Sequence, residues 1–269
     1  MLNQPIDQLP LWAVLALIII GLFFAAEAGF YIGKRRSSKI ADIGREEKQA
    51  SSIMGASLGL LAFLLAFTFA MANSIHGERK ELVVTEANAI GTLYLRSQLF
   101  ENSPQMTQSQ QLIRDYVKLR LEGGNWRATD GMAEIQKILR ASENILDQLW
   151  VLGREMTPAH VNSPLFSLYI DSLNEVIDIH TLRINAGSKR LPQIVRVMLF
   201  MIATVTLALL GYQSGLNLVR ALIPRAALIT SLSIVMVLVV DLDRPGSDLI
   251  SIGQNTMLNL QTAISEAKP

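Results

Sequence analysis

FAMANSIHGERK, residues 69–80, passes from apolar to charged within three turns, and its reading decides the fold. Either a membrane helix stops here and a separate domain follows, or one helix leaves the lipid and carries on. From Ser52 to Phe100 the sequence has no proline, and Val83, Ala87, Ile90 and Tyr94 repeat at helical spacing past the last membrane residue. Gly77 and Gly91 weaken such a helix by about 1 kcal/mol each. The pattern predicts one long helix, bent near Gly77 and extending roughly 70 Å, about twice the hydrocarbon thickness of a bilayer. It would act as a shaft joining a membrane region to an outer domain.

Composition sets the class around this shaft. Half of the 269 residues are hydrophobic, 17% are charged and 6% aromatic, the profile of a membrane protein. Cysteine is absent, which excludes disulfides, thiolate metal sites and cysteine nucleophiles. A net charge of +1 predicts no nucleic-acid partner. Four stretches reach the roughly 20 residues needed to cross a bilayer: 11–33, 53–75, 195–213 and 227–242. The last is long enough if it begins near Ala221, with Pro224 in its first turn, where a missing N–H costs little. Ala26-Glu27-Ala28 has the form of a processing site, but no Lys or Arg precedes the first apolar run and the run is too long for a signal core. The first stretch is therefore read as a retained helix.

The expected organisation is an all-α membrane protein with four transmembrane helices and a helical extramembrane domain between spans two and three. Residues 1–75 hold spans one and two with a basic loop at 34–52, and 76–191 form the extramembrane domain, continuous with helix two. Residues 192–242 hold spans three and four, and 243–269 form a C-terminal tail with a short amphipathic helix. Six basic residues against three acidic ones in 34–52 place that loop in the cytoplasm by the positive-inside rule, with Arg220 and Arg225 on the same side. Both termini and the middle domain then lie outside the cytoplasm.

The middle region carries helical patterns only. Residues 104–122 align Leu112, Tyr116 and Leu119 and stop at Gly123-Gly124; residues 129–156 repeat Ile135, Leu139, Ile145, Leu149 and Leu152 behind an Asp130 cap. Residues 163–190 open with Ser-Pro and carry Phe166, Ile170, Leu173, Ile177 and Leu182. With 13 basic and 14 acidic residues the domain is nearly neutral and offers no obvious charged ligand site.

Within span two, Ala56, Leu60, Phe63, Phe67, Ala70 and Ser74 share one stripe, beside a small-residue stripe of Gly55, Gly59, Ala62 and Ala66. Small residues let helices approach closely in lipid. If copies of this helix pack through them around an axis, Leu60, Phe63, Phe67, Ala70 and Ser74 line a pore in which the two phenylalanines form hydrophobic rings, able to gate by dewetting. The plainer alternative is that these aromatics face lipid or pack within one subunit. Glu27, inside span one, is either a functional intramembrane carboxylate or one that reaches the headgroups or a basic partner. Glu86, Asn88 and Arg96 suit buried polar packing between subunits. Asp241, Asp243 and Arg244 leave span four together. The two carboxylates alone fall short of the six or more oxygens that Ca²⁺ takes, so a salt bridge from Arg244 to a neighbouring helix is the simpler reading. His76, His160 and His180 have no metal spacing, and neither a phosphate loop nor a nucleophile elbow is present. No metal, cofactor or enzymatic activity is expected.

Residues 60–96, LLAFLLAFTFAMANSIHGERKELVVTEANAIGTLYLR, followed by VVDLDRPGSDLIS at 239–251, resemble the bacterial bestrophin-like family of unknown function. The shared features are the Leu-Leu-Ala-Phe-Thr-Phe run, the Glu-Ala-Asn-Ala-Ile-Gly-Thr segment ending in Tyr-Leu-Arg, and Asp-Leu-Asp-Arg-Pro after the last span. The resemblance implies a bestrophin-like architecture in a bacterial inner membrane: a homo-oligomer, pentameric by analogy, whose second helices line an ion pore with its apolar neck at Phe63 and Phe67. The acidic cluster that clasps calcium in bestrophins is reduced here to Asp241 and Asp243. Bestrophins also keep their extramembrane helices in the cytoplasm, opposite to the charge pattern. Two functions follow: an oligomeric channel for inorganic ions, passing anions, or a non-conducting scaffold or sensor whose helical domain binds a protein or envelope ligand. The lipid bilayer is a partner in both.

Overall fold

The computed structural model describes residues 5–39, 42–100, 103–124, 132–244, 246, 249–250 and 252–266. All regular structure among them is helical. After a short 3-10 turn (Pro5–Gln8) come α1 (Leu11–Ser37), α2 (Ile43–Ser97), α3 (Pro104–Gly124), α4 (Met132–His160), α5 (Pro164–Ser188), α6 (Gln193–Leu216), α7 (Leu222–Asp243) and α8 (Asn255–Glu266). Four helical segments are long and apolar enough to cross a membrane, provided by α1, α2, α6 and α7.

The opening question has a direct answer in α2. It is one helix of 55 residues, about 80 Å long, and it passes through Gly77 and Gly91 unbroken. It starts ten residues before Ile53, because Asp42 caps it: the Arg45 N–H donates to Asp42 Oδ1 at 3.1 Å. Half of the expected basic loop is thereby helical. Pro224 falls in the first turn of α7.

The chain divides into two compact units, one comprising Leu9–Ser74 with Arg190–Asp243, the other Ile75–Lys189 with Arg244–Pro269 and Met1–Gln8. In the first, α1 and α6 run parallel, with Gly29 beside Ala208, Gly33 beside Tyr212 and Ser37 Oγ donating to the Leu216 carbonyl at 3.0 Å. Gly211 and Gly215 lie against Ala26 and Phe30 in return. A Cβ at Gly29 or Gly211 would collide with the backbone of the opposite helix, so two glycine pairs at four-residue spacing permit the contact. Gly55 and Gly59 of α2, on the stripe singled out by sequence, face open space within the chain.

The second unit is a bundle of the C-terminal part of α2 with α3, α4, α5 and α8 around Ile90, Leu93, Ile113, Leu149, Tyr169 and Met257. Ser163 caps α5, its hydroxyl accepting from the Phe166 N–H at 3.3 Å, and Pro164 takes the first helical position. Two expected stripes are displaced. The buried face of α3 is Ile113, Tyr116, Val117 and Arg120, about one position on from Leu112, Tyr116 and Leu119. Leu182, expected on the core stripe of α5, is 52% exposed. In both helices the face is turned to bring an arginine, Arg120 or Arg183, onto a buried carboxylate of α2. The Asp130 cap lies outside the described residues.

Candidate functional site

Along the apolar half of α2 the two faces differ. Leu61, Leu65, Thr68 and Ala72 are buried, and the Thr68 hydroxyl is satisfied by the Leu64 carbonyl at 2.7 Å. Leu60, Ala70 and Ser74 are exposed, with Phe63 67% and Phe67 53% exposed. Among the described residues, both phenylalanines are left largely uncovered. Gly55, Gly59, Ala62 and Ala66 are exposed as well.

The polar candidates separate into three clusters. Glu27 of α1 receives Arg225 of α7 on one carboxylate oxygen, while Arg220 approaches the other at 3.6 Å. Arg220 also lies 4.7 Å from the Phe30 ring centre and Arg225 5.8 Å from that of Phe23. The intramembrane carboxylate is thus met by two guanidinium groups at the N-terminal end of α7.

Asp243 closes α7 onto the start of α6. It accepts the Leu191 N–H at 2.6 Å and pairs with Arg196 at 3.0 Å and Arg190 at 3.6 Å. The Arg244 carbonyl accepts from Arg79 at 2.9 Å, and Arg244 and Asp241 are both buried. Among the described residues no three His, Asp or Glu side chains are grouped to hold a metal ion.

The third cluster surrounds Glu86 of α2, which is fully buried in the bundle. Tyr116 donates to its Oε1 at 2.7 Å, the Arg120 Nε lies 3.0 Å from the same oxygen, and Arg183 donates to Oε2. The Tyr116 oxygen is 2.9 Å from His180 Nδ1. Tyr116 has one proton and gives it to Glu86, so the hydrogen on His180 sits on Nδ1; Nε2 is left a buried acceptor with no partner. Burial alone would raise the Glu86 carboxyl, but Arg120 and Arg183 hold it below its ordinary value. Burial, reinforced by the charge of Arg120, lowers His180 to about 4, so the imidazole is neutral near pH 7. Burial and the Glu86 charge push the Tyr116 phenol well upward.

Glu86 and Arg96 were expected to pack between subunits. Their partners are within the chain: Arg96 donates to the Leu168 carbonyl at 2.6 Å and to Ser172. Asn88 is exposed. Sequence reasoning missed Tyr116, Arg120, His180 and Arg183 as a set. The available signal was a charged residue four positions after Tyr116, on the face that otherwise reads as core.

A long helix with a largely uncovered apolar face, three further apolar helices and a helical bundle define an all-α membrane protein. The family model for the Bestrophin-like domain matches residues 11–257, and the chain belongs to that family. A bacterial bestrophin homolog from Klebsiella pneumoniae has a similar fold, with a TM-score of 0.65 at 16% identity over 95% of this chain and 98% of that one. A tryptophan-to-alanine variant of the Klebsiella pneumoniae homolog gives 0.64 at 15% identity, covering 93% and 96% of the two chains. A glycine-to-alanine variant of a membrane protein gives 0.63 at 14% identity, covering 94% and 100%. No curated protein matches the sequence.

Proposed function

We propose that this protein is an oligomeric anion channel of a bacterial inner membrane, in which copies of α2 surround an axial path and Phe63 and Phe67 form its apolar neck. Leu60, Ala70 and Ser74 continue the same wall. The observation that carries this reading is the pair of large aromatics left uncovered on the face of α2 opposite the buried Leu61 and Leu65. Gly55, Gly59, Ala62 and Ala66, exposed beside them, allow neighbouring copies to come close. Membership of the Bestrophin-like family and the likeness to a bestrophin homolog support the channel reading, and a pentamer and anion selectivity follow from the analogy with bestrophins. The activity is transport, not catalysis. The loop of basic residues after α1 faces the cytoplasm, with both termini and the bundle outside.

Successive apolar rings exclude water from a narrow path, so removing them wets it. Phe63→Ala with Phe67→Ala is expected to raise conductance in planar bilayers, with protein shown to keep its oligomeric state. Leu61→Ala with Leu65→Ala is expected to lower stability more than it changes current, because it opens cavities in packed positions. An assembled protein that passes no current in parent or variant form, under anion and cation gradients and across voltages, overturns the channel and leaves the scaffold.

A further inference from the structure

The Glu86 cluster is unbalanced in charge: two guanidinium groups, Arg120 and Arg183, meet one carboxylate. Arg120 is 6% exposed and Glu86 fully buried. Uncompensated buried charge is costly, and such groups pair or hold a counterion. The strain registers in Arg183, whose guanidinium is pulled below its ordinary value by burial and by the charge of Arg120.

Both arginines face a cavity of about 130 Å³ in the bundle, which Arg79 and Gln254 also line. A single water needs about 10–15 Å³ on this measure, so the space holds several waters or one small polyatomic ion. Among the described residues that line it there is no carboxylate, and the walls are otherwise apolar or glycine. Gln254 brings a buried amide whose Oε1 has no hydrogen-bond partner among the described residues, while its Nε2 donates to the Ile252 carbonyl at 3.3 Å. A ligand that accepts from two arginines and donates one hydrogen bond to the amide oxygen would satisfy every one of these groups. That chemistry belongs to a small protonated oxyanion.

We propose that the bundle cavity between Arg120, Arg183 and Gln254 is a binding site for a small oxyanion of the hydrogen phosphate type, separate from the α2 neck. The arginines supply charge and paired donors, and the Gln254 oxygen selects for an ion that keeps a proton. A ligand that binds only the folded state stabilises it by mass action, so occupancy is read as a rise in melting temperature. The site does not depend on conduction.

The test uses full-length protein in detergent, with inorganic phosphate as probe, and sodium chloride at equal ionic strength as reference. Phosphate near pH 7 is expected to raise the midpoint of thermal unfolding by about 2–4 °C at saturation. Acetate, unprotonated at this pH, is expected to give a smaller rise. Arg183→Gln leaves Glu86 paired with Arg120, and is expected to fold and to lose most of the phosphate shift. Gln254→Leu removes the amide without touching a charge and keeps the question open to test should Arg183→Gln fail to fold; it is expected to erase the difference between phosphate and acetate. Equilibrium dialysis is expected to find one phosphate per subunit. No shift in the parent, or an undiminished shift in the variant that folds, overturns the proposal. Conductance of the parent in phosphate and in chloride reads the neck independently, so failure of one proposal leaves the other standing.

Discussion

In the apolar unit α1 and α6 touch backbone to backbone at Gly29, Gly33, Gly211 and Gly215, whereas in the bundle Glu86, Tyr116, Arg120, His180 and Arg183 occupy space that a hydrophobic core would otherwise fill. The first arrangement works by removing side chains. In lipid, burial of apolar surface adds no driving force between helices, so close van der Waals contact holds them together. The second keeps charge out of water and must satisfy it completely, since a half-satisfied buried network costs more than an apolar core. One unit should therefore be sensitive to an added methyl group, and the other to a removed charge.

The largest effect is expected at Glu86. Glu86→Ala leaves two guanidinium groups facing each other in the bundle and should destabilise it by about 3–5 kcal/mol, measured by denaturant or thermal unfolding of the detergent-solubilised protein. A loss well under 1 kcal/mol would mean that water reaches the cluster, and would dissolve the contrast between the units.

The next is expected in the apolar unit. Gly29→Ala places a Cβ against the Ala208 carbonyl, and the two helices must separate. Overpacking of this kind costs about 1–3 kcal/mol. Gly59→Ala, where nothing lies within 4 Å, meets no such clash and should leave the single chain unharmed or stabilise it by up to about 1 kcal/mol through better helix propensity. Equal costs at the two positions would show that the small stripe of α2 is packed as tightly as α1 on α6.

A pH dependence is expected as well, confined to acid conditions. His180 is depressed to about 4 in the folded chain, against an ordinary value near 6.5. Between these values the unfolded chain binds the proton and the folded chain does not, so stability is whole above pH 6.5 and is lost as pH falls toward 4. Glu86, also lowered, adds loss of the same sign at still lower pH. His180→Asn should flatten the unfolding midpoint between pH 6.5 and 4 while leaving the steeper loss below it. An unchanged slope would assign the titration elsewhere.

Much of the fold was legible because its signals are local. Apolar length marked the four spans, Ser163-Pro164 marked the start of α5, and the absence of proline from Ser52 onward made a continuous α2 the simplest reading. The candidate sites were less so. Gly55 with Gly59, Gly29 with Gly33 and Gly211 with Gly215 all have the same four-residue spacing, which does not rank the three pairs. A small residue permits close approach but does not name its partner. Arg120 and Arg183 carry no local signal of their role, because their carboxylate lies in α2, 34 and 97 residues away in sequence.

The sequence by itself determined the class of protein, the number of apolar helices and the presence of two large aromatics on one stripe of α2, since length, composition and the 3.6-residue period are properties of each segment alone. Tertiary structure decided which glycines meet a neighbouring backbone, which carboxylate takes which arginine, and which face of α2 the rest of the chain leaves bare. Those outcomes rest on distances between segments far apart in the chain, and no periodicity within one segment carries that information.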